Sequence, residues 1–160
     1  VPQAHKMVFG FSIEDLVVMG RAPYISTLAK PRKEDYDKAH ESLDEVGIAH
    51  LAKKSCNEVS GGELQLALIA RTLVSDPEIL ILDDSLSAVD AKTESKIIEN
   101  IQTERAGKTT IISTHRLSGI QHADEIIVLD KGNIAERGTH ESLLAKEGIY
   151  HKLVGLQQVQ

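Results

Sequence analysis

Two adjacent carboxylates and one histidine are, by type and position, the residues of this chain best suited to catalysis. Asp83 and Asp84 follow the aliphatic run "ILIL", and His115 ends the next predicted strand, "TTIIST". The carboxyl ends of parallel strands meet at one edge of a sheet, where ligands of α/β proteins bind. Carboxylates that face a histidine at such an edge suit magnesium binding and activation of a water molecule. Asp83 taken alone could equally serve as a helix cap or a turn residue.

The segment "VSGGEL" is a second candidate ligand site, this time for an anion. Ser60 is a natural helix N-cap, and Gly61 and Gly62 allow the backbone to approach a ligand closely. Free N–H groups and the helix dipole favour negative charge at such a helix start. An ordinary capped helix is the simpler interpretation of this segment when it is taken alone.

The segment "AGKTT" contains the Gly-Lys-Thr that ends a phosphate-binding loop. The full motif places its first glycine five residues before Gly107, where this chain has Gln102. A predicted helix precedes Gly107 and a predicted strand follows it, which is the reverse of the order in a phosphate loop. We therefore predict that Gly107 ends a helix in a left-handed conformation. No other Gly-Lys-Thr or Gly-Lys-Ser occurs in the 160 residues.

The elements that position these residues follow from hydrophobic periodicity and turn residues. In the first half, helices are predicted in "SIEDLVVMG", from Ser12 to a stop at Gly20, in "KEDYDKAHESLDEVG", with a stop at Gly47, and briefly in "IAHLAKKS". The helix "ELQLALIARTLV" is apolar nearly all round and should be buried.

In the second half, "EILILDD", a helix and "TTIIST" predict two parallel strands joined by a crossover. The continuous apolar run of the first strand predicts that both of its faces are covered. The segment "EIIVLDKGNIAERG" predicts a hairpin that turns at "KGN", and two helices follow it.

Composition limits the classes of function. A chain of 160 residues with 41% hydrophobic and 26% charged residues fits one soluble globular domain or a large part of one. The net charge of −6 argues against nonspecific binding to nucleic acid or to an anionic membrane. Cys56 is the single cysteine, which excludes an intrachain disulfide and favours a reducing compartment. We find no signal peptide and no apolar run long enough to span a membrane.

The order of these motifs resembles the nucleotide-binding domain of ATP-binding cassette (ABC) transporters over nearly the whole chain. "VPQ" resembles the Q-loop, "VSGGEL" the signature motif, "ILILDD" Walker B, "SAVD" the D-loop, and His115 the switch histidine. The resemblance implies an α/β, P-loop NTPase-like partial fold, with a mainly parallel sheet, flanking helices and a helical subdomain. Residues 1–75 would hold the Q-loop, the helical subdomain and the signature helix. Residues 76–160 would hold the rest of the α/β core, the hairpin and the last helices.

The resemblance also implies roles for particular residues. Asp84 and His115 would be catalytic, and Asp83 and Gln3 would hold Mg²⁺. Residues that contact ATP would be Gln3, Ser60, Gly61, Gly62, Glu63, Ser87 and Asp90. The implied partners are a transmembrane subunit and a second nucleotide-binding domain in a dimer. The chain would then be cytoplasmic and would lie at the inner face of the membrane through its transmembrane partner.

The sequence departs from the family pattern at four points. The 160 residues contain no Walker A loop, Asp84 replaces a glutamate, and Glu63 stands where the signature usually has glutamine. The segment "LVVMGRAPYISTLAKP" resembles ATPases of iron-siderophore or cobalamin importers, whereas the chain from about Asp83 onward resembles exporters. A recombined or engineered chain is the hypothesis that this change suggests.

The leading hypothesis is an incomplete ABC ATPase domain whose parent function is ATP-driven transport. The lone chain would bind and hydrolyse ATP poorly, so its status as an enzyme stays open. The alternative is a noncatalytic module that docks on a transmembrane subunit around residues 10–45 and offers its signature motif to another subunit's ATP. The carboxy-terminal lobe of a chromosome-maintenance ATPase is disfavoured, because no long heptad repeats occur and the chain is acidic. The transported substrate, the direction of transport and the oligomeric state stay open.

Overall fold

The computed structural model of the chain describes residues 10–26, 28–117 and 119–157. Its helices are Ile13–Val18 (α1), Lys33–Glu45 (α2), Gly61–Leu73 (α3), Ala91–Glu104 (α4), His140–Ala145 (α5) and Ile149–Gln157 (α6). Short 3₁₀ helices span Met19–Tyr24 and Ala49–Leu51. The strands are Ile79–Asp83 (β1), Thr109–Ser113 (β2), Ile126–Asp130 (β3) and Asn133–Gly138 (β4).

The helices of the first half pack around one apolar core, which continues beneath β1 and α4. Ser12 begins α1 as predicted, and its hydroxyl oxygen accepts a hydrogen bond from the Asp15 N–H at 3.1 Å. Gly47 follows the end of α2 with φ +77°, a conformation that glycine adopts without strain. The fully buried members of this core include Ile13, Val17, Leu43, Ala67, Ala70, Leu80 and Ile101.

The prediction that Gly20 ends the first helix is wrong, because the chain continues there as the 3₁₀ helix Met19–Tyr24. A Cβ atom at Gly20 would lie 2.0 Å from the Arg71 carbonyl oxygen and 2.6 Å from Cγ1 of Val74. Glycine is therefore required here for close packing of the 3₁₀ helix against the end of α3, and not for a helix stop. Such a contact joins positions that are distant in sequence, so hydrophobic periodicity does not reveal it.

The crossover prediction is confirmed. Strands β1 and β2 pair in parallel, with Asp83 opposite Ser113, and α4 connects them. The prediction that both faces of β1 are covered is not met within the part of the chain that the structure describes. Leu80 and Leu82 are buried, whereas Ile79 and Ile81 are 62% and 65% exposed. Successive side chains of a strand point to opposite faces, and the core lies only on the side of the two leucines.

The remaining strands form the predicted antiparallel hairpin, β3–β4. Its turn residues, Lys131 and Gly132, have φ +48° and +79°, which suits a two-residue turn that matches the twist of the strands. A second apolar cluster packs α5 and α6 against the hairpin and contains Leu117, Ile126, Val128, Leu143, Tyr150 and Val154.

The exposed face of the parallel pair gives a prediction about association. Ile79, Ile81 and Ile111, which is 51% exposed, form an apolar surface on β1 and β2. We expect the isolated 160-residue chain to self-associate through this face, because burial of apolar surface yields about 25 cal/mol per Å². Sedimentation velocity over a range of concentrations measures this association.

Ile81→Lys should shift the distribution towards monomer. Leu156→Lys, at an exposed apolar position of α6, is the matched control and should leave the distribution unchanged. A monomeric wild-type chain at every concentration would contradict the prediction.

Candidate functional site

The first candidate site lies where β1 and β2 end side by side. Asp83 pairs with Ser113, and the Asp84 N–H extends the pairing by donating to the Ser113 carbonyl oxygen at 2.9 Å. His115 follows two residues after Ser113, so all three predicted residues stand at one edge of the sheet. Their side chains are exposed and make no hydrogen bond or ion pair with any residue in the described ranges. This edge therefore presents two carboxylates and an imidazole to a ligand.

Asp84 has a special backbone conformation, with φ +47°. Aspartate tolerates this left-handed region better than most residues with a side chain. The Ser87 hydroxyl donates to the Asp84 carbonyl oxygen at 2.9 Å, and the Ser85 hydroxyl donates to the Asp83 carbonyl oxygen at 3.2 Å. The chain thus turns sharply after β1, and short-range hydrogen bonds hold the turn.

The edge does not form a metal site by protein groups alone. Among residues 10–26, 28–117 and 119–157, no three His, Cys, Asp or Glu side chains converge to hold a metal ion. Magnesium commonly takes one or two carboxylates and fills its other positions with water and substrate phosphates. The exposed carboxylate of Asp83 fits that chemistry. Gln3, the other predicted magnesium ligand, lies outside the described residues.

The second candidate site is the start of α3. The Ser60 hydroxyl oxygen accepts the Glu63 N–H at 3.3 Å, and a Glu63 carboxylate oxygen accepts the Ser60 N–H at 2.7 Å. This reciprocal pair is a capping box. The hydrogen bond from the Ser60 N–H lowers the pKa of Glu63. In this structure the Glu63 carboxylate stabilises its own helix, and its predicted contact with ATP stays a prediction.

The two glycines of this segment have different surroundings. A Cβ atom at Gly62 would lie 2.9 Å from the Ala88 carbonyl oxygen, whereas one at Gly61 would meet nothing within 4 Å. Gly62 is therefore needed for contact with residues 87–90, hereafter the 87–90 loop. Gly61 leaves the helix start open on its other side.

The predicted ATP contacts in the 87–90 loop also have local roles. Asp90 caps α4 and accepts hydrogen bonds from the N–H and hydroxyl of Thr93 at 3.0 and 2.6 Å. Both hydrogen bonds lower the pKa of Asp90, and the bond from the Thr93 hydroxyl has the larger effect. The side chain of Ser87 is engaged with Asp84, as described above.

Two residues that the sequence interpretation missed connect this loop to His115. The Arg116 guanidinium donates to the carbonyl oxygens of Ser87 and Val89 and to the carboxylate of Glu94. Glu94 is 2% exposed, which is rare for an acidic residue unless it is paired. The available signal was an arginine directly after His115 and a glutamate in the first turn of α4.

The Gly-Lys-Thr segment does not form a phosphate loop. Gly107 follows the end of α4 with φ +83°, which confirms its predicted left-handed conformation. The Lys108 ammonium group pairs with the Asp76 carboxylate, and this hydrogen bond lowers the pKa of Asp76. The Thr109 N–H donates to the Glu78 carbonyl oxygen at 3.1 Å. Lys108 and Thr109 are therefore both used to join the start of β2 to the segment that precedes β1.

A third feature is an open, mainly apolar groove of about 680 Å³ in the helical part. Phe11, Met19 and Ile25 line it, together with Asp15 and Tyr36. The Asp15 carboxylate accepts hydrogen bonds from the Ser12 hydroxyl at 2.6 Å and the Tyr36 hydroxyl at 3.2 Å.

None of the helices in the described part of the chain is long and apolar enough to span a membrane.

Comparison with known proteins identifies relatives of both halves. A family model described as "ABC transporter" matches residues 1–87. A probable multidrug resistance ABC transporter ATP-binding/permease protein of Bacillus subtilis, YheI, is 45% identical over 99% of this chain and 27% of its own length. An uncharacterized ABC transporter ATP-binding protein of Haemophilus influenzae is 36% identical over 93% of this chain and 57% of its own length.

A solved structure of a bacterial Atm1-family ABC exporter with ATP bound has a TM-score of 0.80 to this chain. It is 30% identical and aligns with 99% of this chain and 28% of the exporter chain. This likeness confirms the predicted fold class. The chain spans between 27% and 57% of the length of these three relatives. The resemblance of its two halves to different transporter branches stays a prediction.

Proposed function

The chain belongs to the ABC transporter family, and we propose that it forms the part of the ATPase domain that acts on the γ-phosphate and drives transport. The observation that carries this proposal is that the ends of two parallel strands place the exposed side chains of Asp83, Asp84 and His115 at one edge of the sheet. None of them is occupied by a structural contact to the described residues, which is the state expected of groups that wait for a ligand.

Each residue at this edge has a separate role in the proposed reaction. Asp83 would hold a magnesium ion that arrives with ATP, and such an ion would supply positive charge to neutralise the phosphates. Asp84 accepts a hydrogen bond from the attacking water and orients it. His115 donates a hydrogen bond to the γ-phosphate. Phosphoryl transfer depends mainly on such positioning and charge stabilisation, and exposed groups on strand ends suit it.

The start of α3 provides the second half of an ATP site. The first N–H groups of a helix have no intrahelical acceptor, and that end of the helix dipole attracts phosphate. Gly61 leaves this position open, while Gly62 holds it against the 87–90 loop. We propose that Ser60, Gly61 and Gly62 contact the ATP of a second nucleotide-binding domain in a dimer.

The groove in the helical part is the proposed docking site for a transmembrane partner. It belongs to the segment around residues 10–45, and its lining is mainly apolar with the Asp15 carboxylate on one wall. An amphipathic helix that projects from a membrane domain fits such a surface. Docking there would place the chain at the inner face of the membrane.

A noncatalytic module is the second candidate function. It is favoured by the short carboxylate of Asp84, and by the use of Lys108 and Thr109 in structural contacts. In that case the chain would lend its α3 start to a partner's ATP and would itself bind ATP no tighter than about millimolar. Asp83, Asp84 and His115 would then contribute nothing to turnover.

The two candidate functions predict different effects of replacing His115. In the assembled transporter that contains this chain, His115→Ala should lower ATP turnover at least about tenfold, or about 1.4 kcal/mol of activation barrier. His151→Ala, at an exposed position of α6, is the control and should leave turnover unchanged. Steady-state turnover at saturating Mg²⁺ and ATP is the measurement. Equal turnover in the two variants would favour the noncatalytic module.

A further inference from the structure

A buried carboxylate holds the residues on either side of His115. The two oxygens of Glu94 accept hydrogen bonds from the Thr114 hydroxyl at 3.5 Å and from Nη1 of Arg116 at 2.9 Å. The Thr114 hydroxyl oxygen also accepts the Arg116 N–H at 3.0 Å. The segment that carries His115 is therefore tied to the first turn of α4, while the imidazole stays exposed.

The same guanidinium also holds the 87–90 loop. Nη1 of Arg116 donates to the Val89 carbonyl oxygen at 2.6 Å, and Nη2 donates to the Ser87 carbonyl oxygen at 3.0 Å. The other hydrogen bonds of Ser87 and Val89 to described residues are local, because their acceptors are Asp84 and Leu86. Arg116 therefore provides the hydrogen bonds that link this loop to the segment after β2.

The backbone around His115 has a further support from α6. Nε2 of Gln157 donates to the His115 carbonyl oxygen at 2.6 Å, and Oε1 of Gln157 accepts the Leu117 N–H at 2.9 Å. The main chain at His115 is thus held from two helices. A histidine presented in this way has a fixed backbone and a free side chain, which suits a group that must meet a ligand in one orientation.

We propose that Glu94 and Arg116 are positioning residues that fix His115 and the 87–90 loop as one unit. This inference rests on the proposed function, because the position of His115 affects turnover only if His115 is catalytic. Since Gly62 packs on Ala88, the unit also touches the start of α3. The Arg116 guanidinium therefore links the groups that would contact the chain's own ATP to the groups that would contact the ATP of a partner.

The geometry requires arginine at this position. Its planar fork reaches two carbonyl oxygens and one carboxylate at once, whereas lysine carries a single ammonium group on a flexible stem. Arg116→Lys keeps the positive charge beside the buried Glu94 but loses the fork. Glu94→Gln keeps the shape of the side chain but removes its charge. These two variants test positioning without leaving a buried carboxylate unpaired.

The first readout is kinetic and uses the assembled transporter with Mg²⁺ and ATP. Arg116→Lys and Glu94→Gln should each lower kcat at least about tenfold, with KM for ATP within about twofold of the wild type. The double variant should be no slower than the slower single variant, because the two residues act as one pair. Arg137→Lys is the control, since Arg137 forms an exposed pair with Glu125. Unchanged kcat, or multiplicative losses in the double variant, would overturn the proposal.

The second readout is amide hydrogen exchange in the same assembly, which does not depend on ATP turnover. The amides of Ser87 and Val89 should exchange at least about tenfold faster in both variants, and those of α2 should not change. Faster exchange throughout the chain would show a general structural role and would overturn the proposal. If His115→Ala leaves turnover unchanged, the proposed function fails, and exchange at Ser87 and Val89 still decides whether Glu94 and Arg116 hold the loop.

Discussion

Replacing Asp84 with glutamate is expected to raise the ATP turnover of the assembled transporter at least about tenfold, or about 1.4 kcal/mol of activation barrier. Asp84 follows β1 directly, and its exposed carboxylate has no partner among the described residues. One more methylene carries the carboxylate further towards the water that we propose it orients. General-base assistance is typically worth about 10²–10⁴-fold, so a short base loses much of it.

The backbone at Asp84 makes the same substitution mildly destabilising. Its φ of +47° lies in the left-handed region, which aspartate visits more readily than glutamate does. Asp84→Glu should therefore raise turnover while it lowers Tm, and both are measured on one sample. Asp130→Glu, at the exposed end of β3, is the matched control.

Adding His115→Ala should remove most of the gain from Asp84→Glu, since we propose that both residues act on the same phosphoryl group. If Asp84→Glu leaves turnover unchanged while His115→Ala alone still lowers it, Asp84 is not the limiting base. Turnover would then be limited by closure of the dimer or by the start of α3.

Asp83→Asn is expected to lower turnover at least about 100-fold, or about 2.7 kcal/mol of barrier, and to abolish its dependence on magnesium. An amide oxygen is a far weaker magnesium ligand than a carboxylate, and it does not neutralise the ion's charge. Titration of turnover with Mg²⁺ at fixed ATP is the measurement, and Asp130→Asn is the control. Turnover close to that of the wild type, with the same magnesium dependence, would contradict the role of Asp83.

Local signals were enough to predict most elements and the placement of Asp83, Asp84 and His115 at one edge of the sheet. Lys131 and Gly132 separate two apolar segments, and the hairpin turns there because glycine adopts positive φ easily. The crossover β1–α4–β2 follows from the order of strand, helix and strand. Once two strands are parallel, their carboxyl ends must adjoin, and this rule alone brings Asp83, Asp84 and His115 together.

Contacts between distant segments could not be predicted in this way. Gly20 is a glycine because Arg71 and Val74 lie against it, and their spacing in sequence gives no periodic signal. The bonds from Arg116 to Ser87 and Val89 also join different segments. The apolar run of β1 predicted two covered faces, yet Ile79 and Ile81 are exposed, because composition does not show which elements lie against a strand.

Our proposal for the ATP site is that this chain forms half of it and that a second nucleotide-binding domain completes it. It is tested most directly by calorimetry of this chain against an ABC ATPase subunit that has an intact phosphate loop and an inactivated base. Gly61→Val is the test variant and Gly155→Ala the control, because a Cβ atom at either glycine would meet nothing within 4 Å. We predict association at least about tenfold tighter with Mg²⁺ and ATP than without nucleotide, lost in Gly61→Val and retained in Gly155→Ala. Equal affinity with and without ATP, or tight ATP-dependent binding by Gly61→Val, would contradict the account.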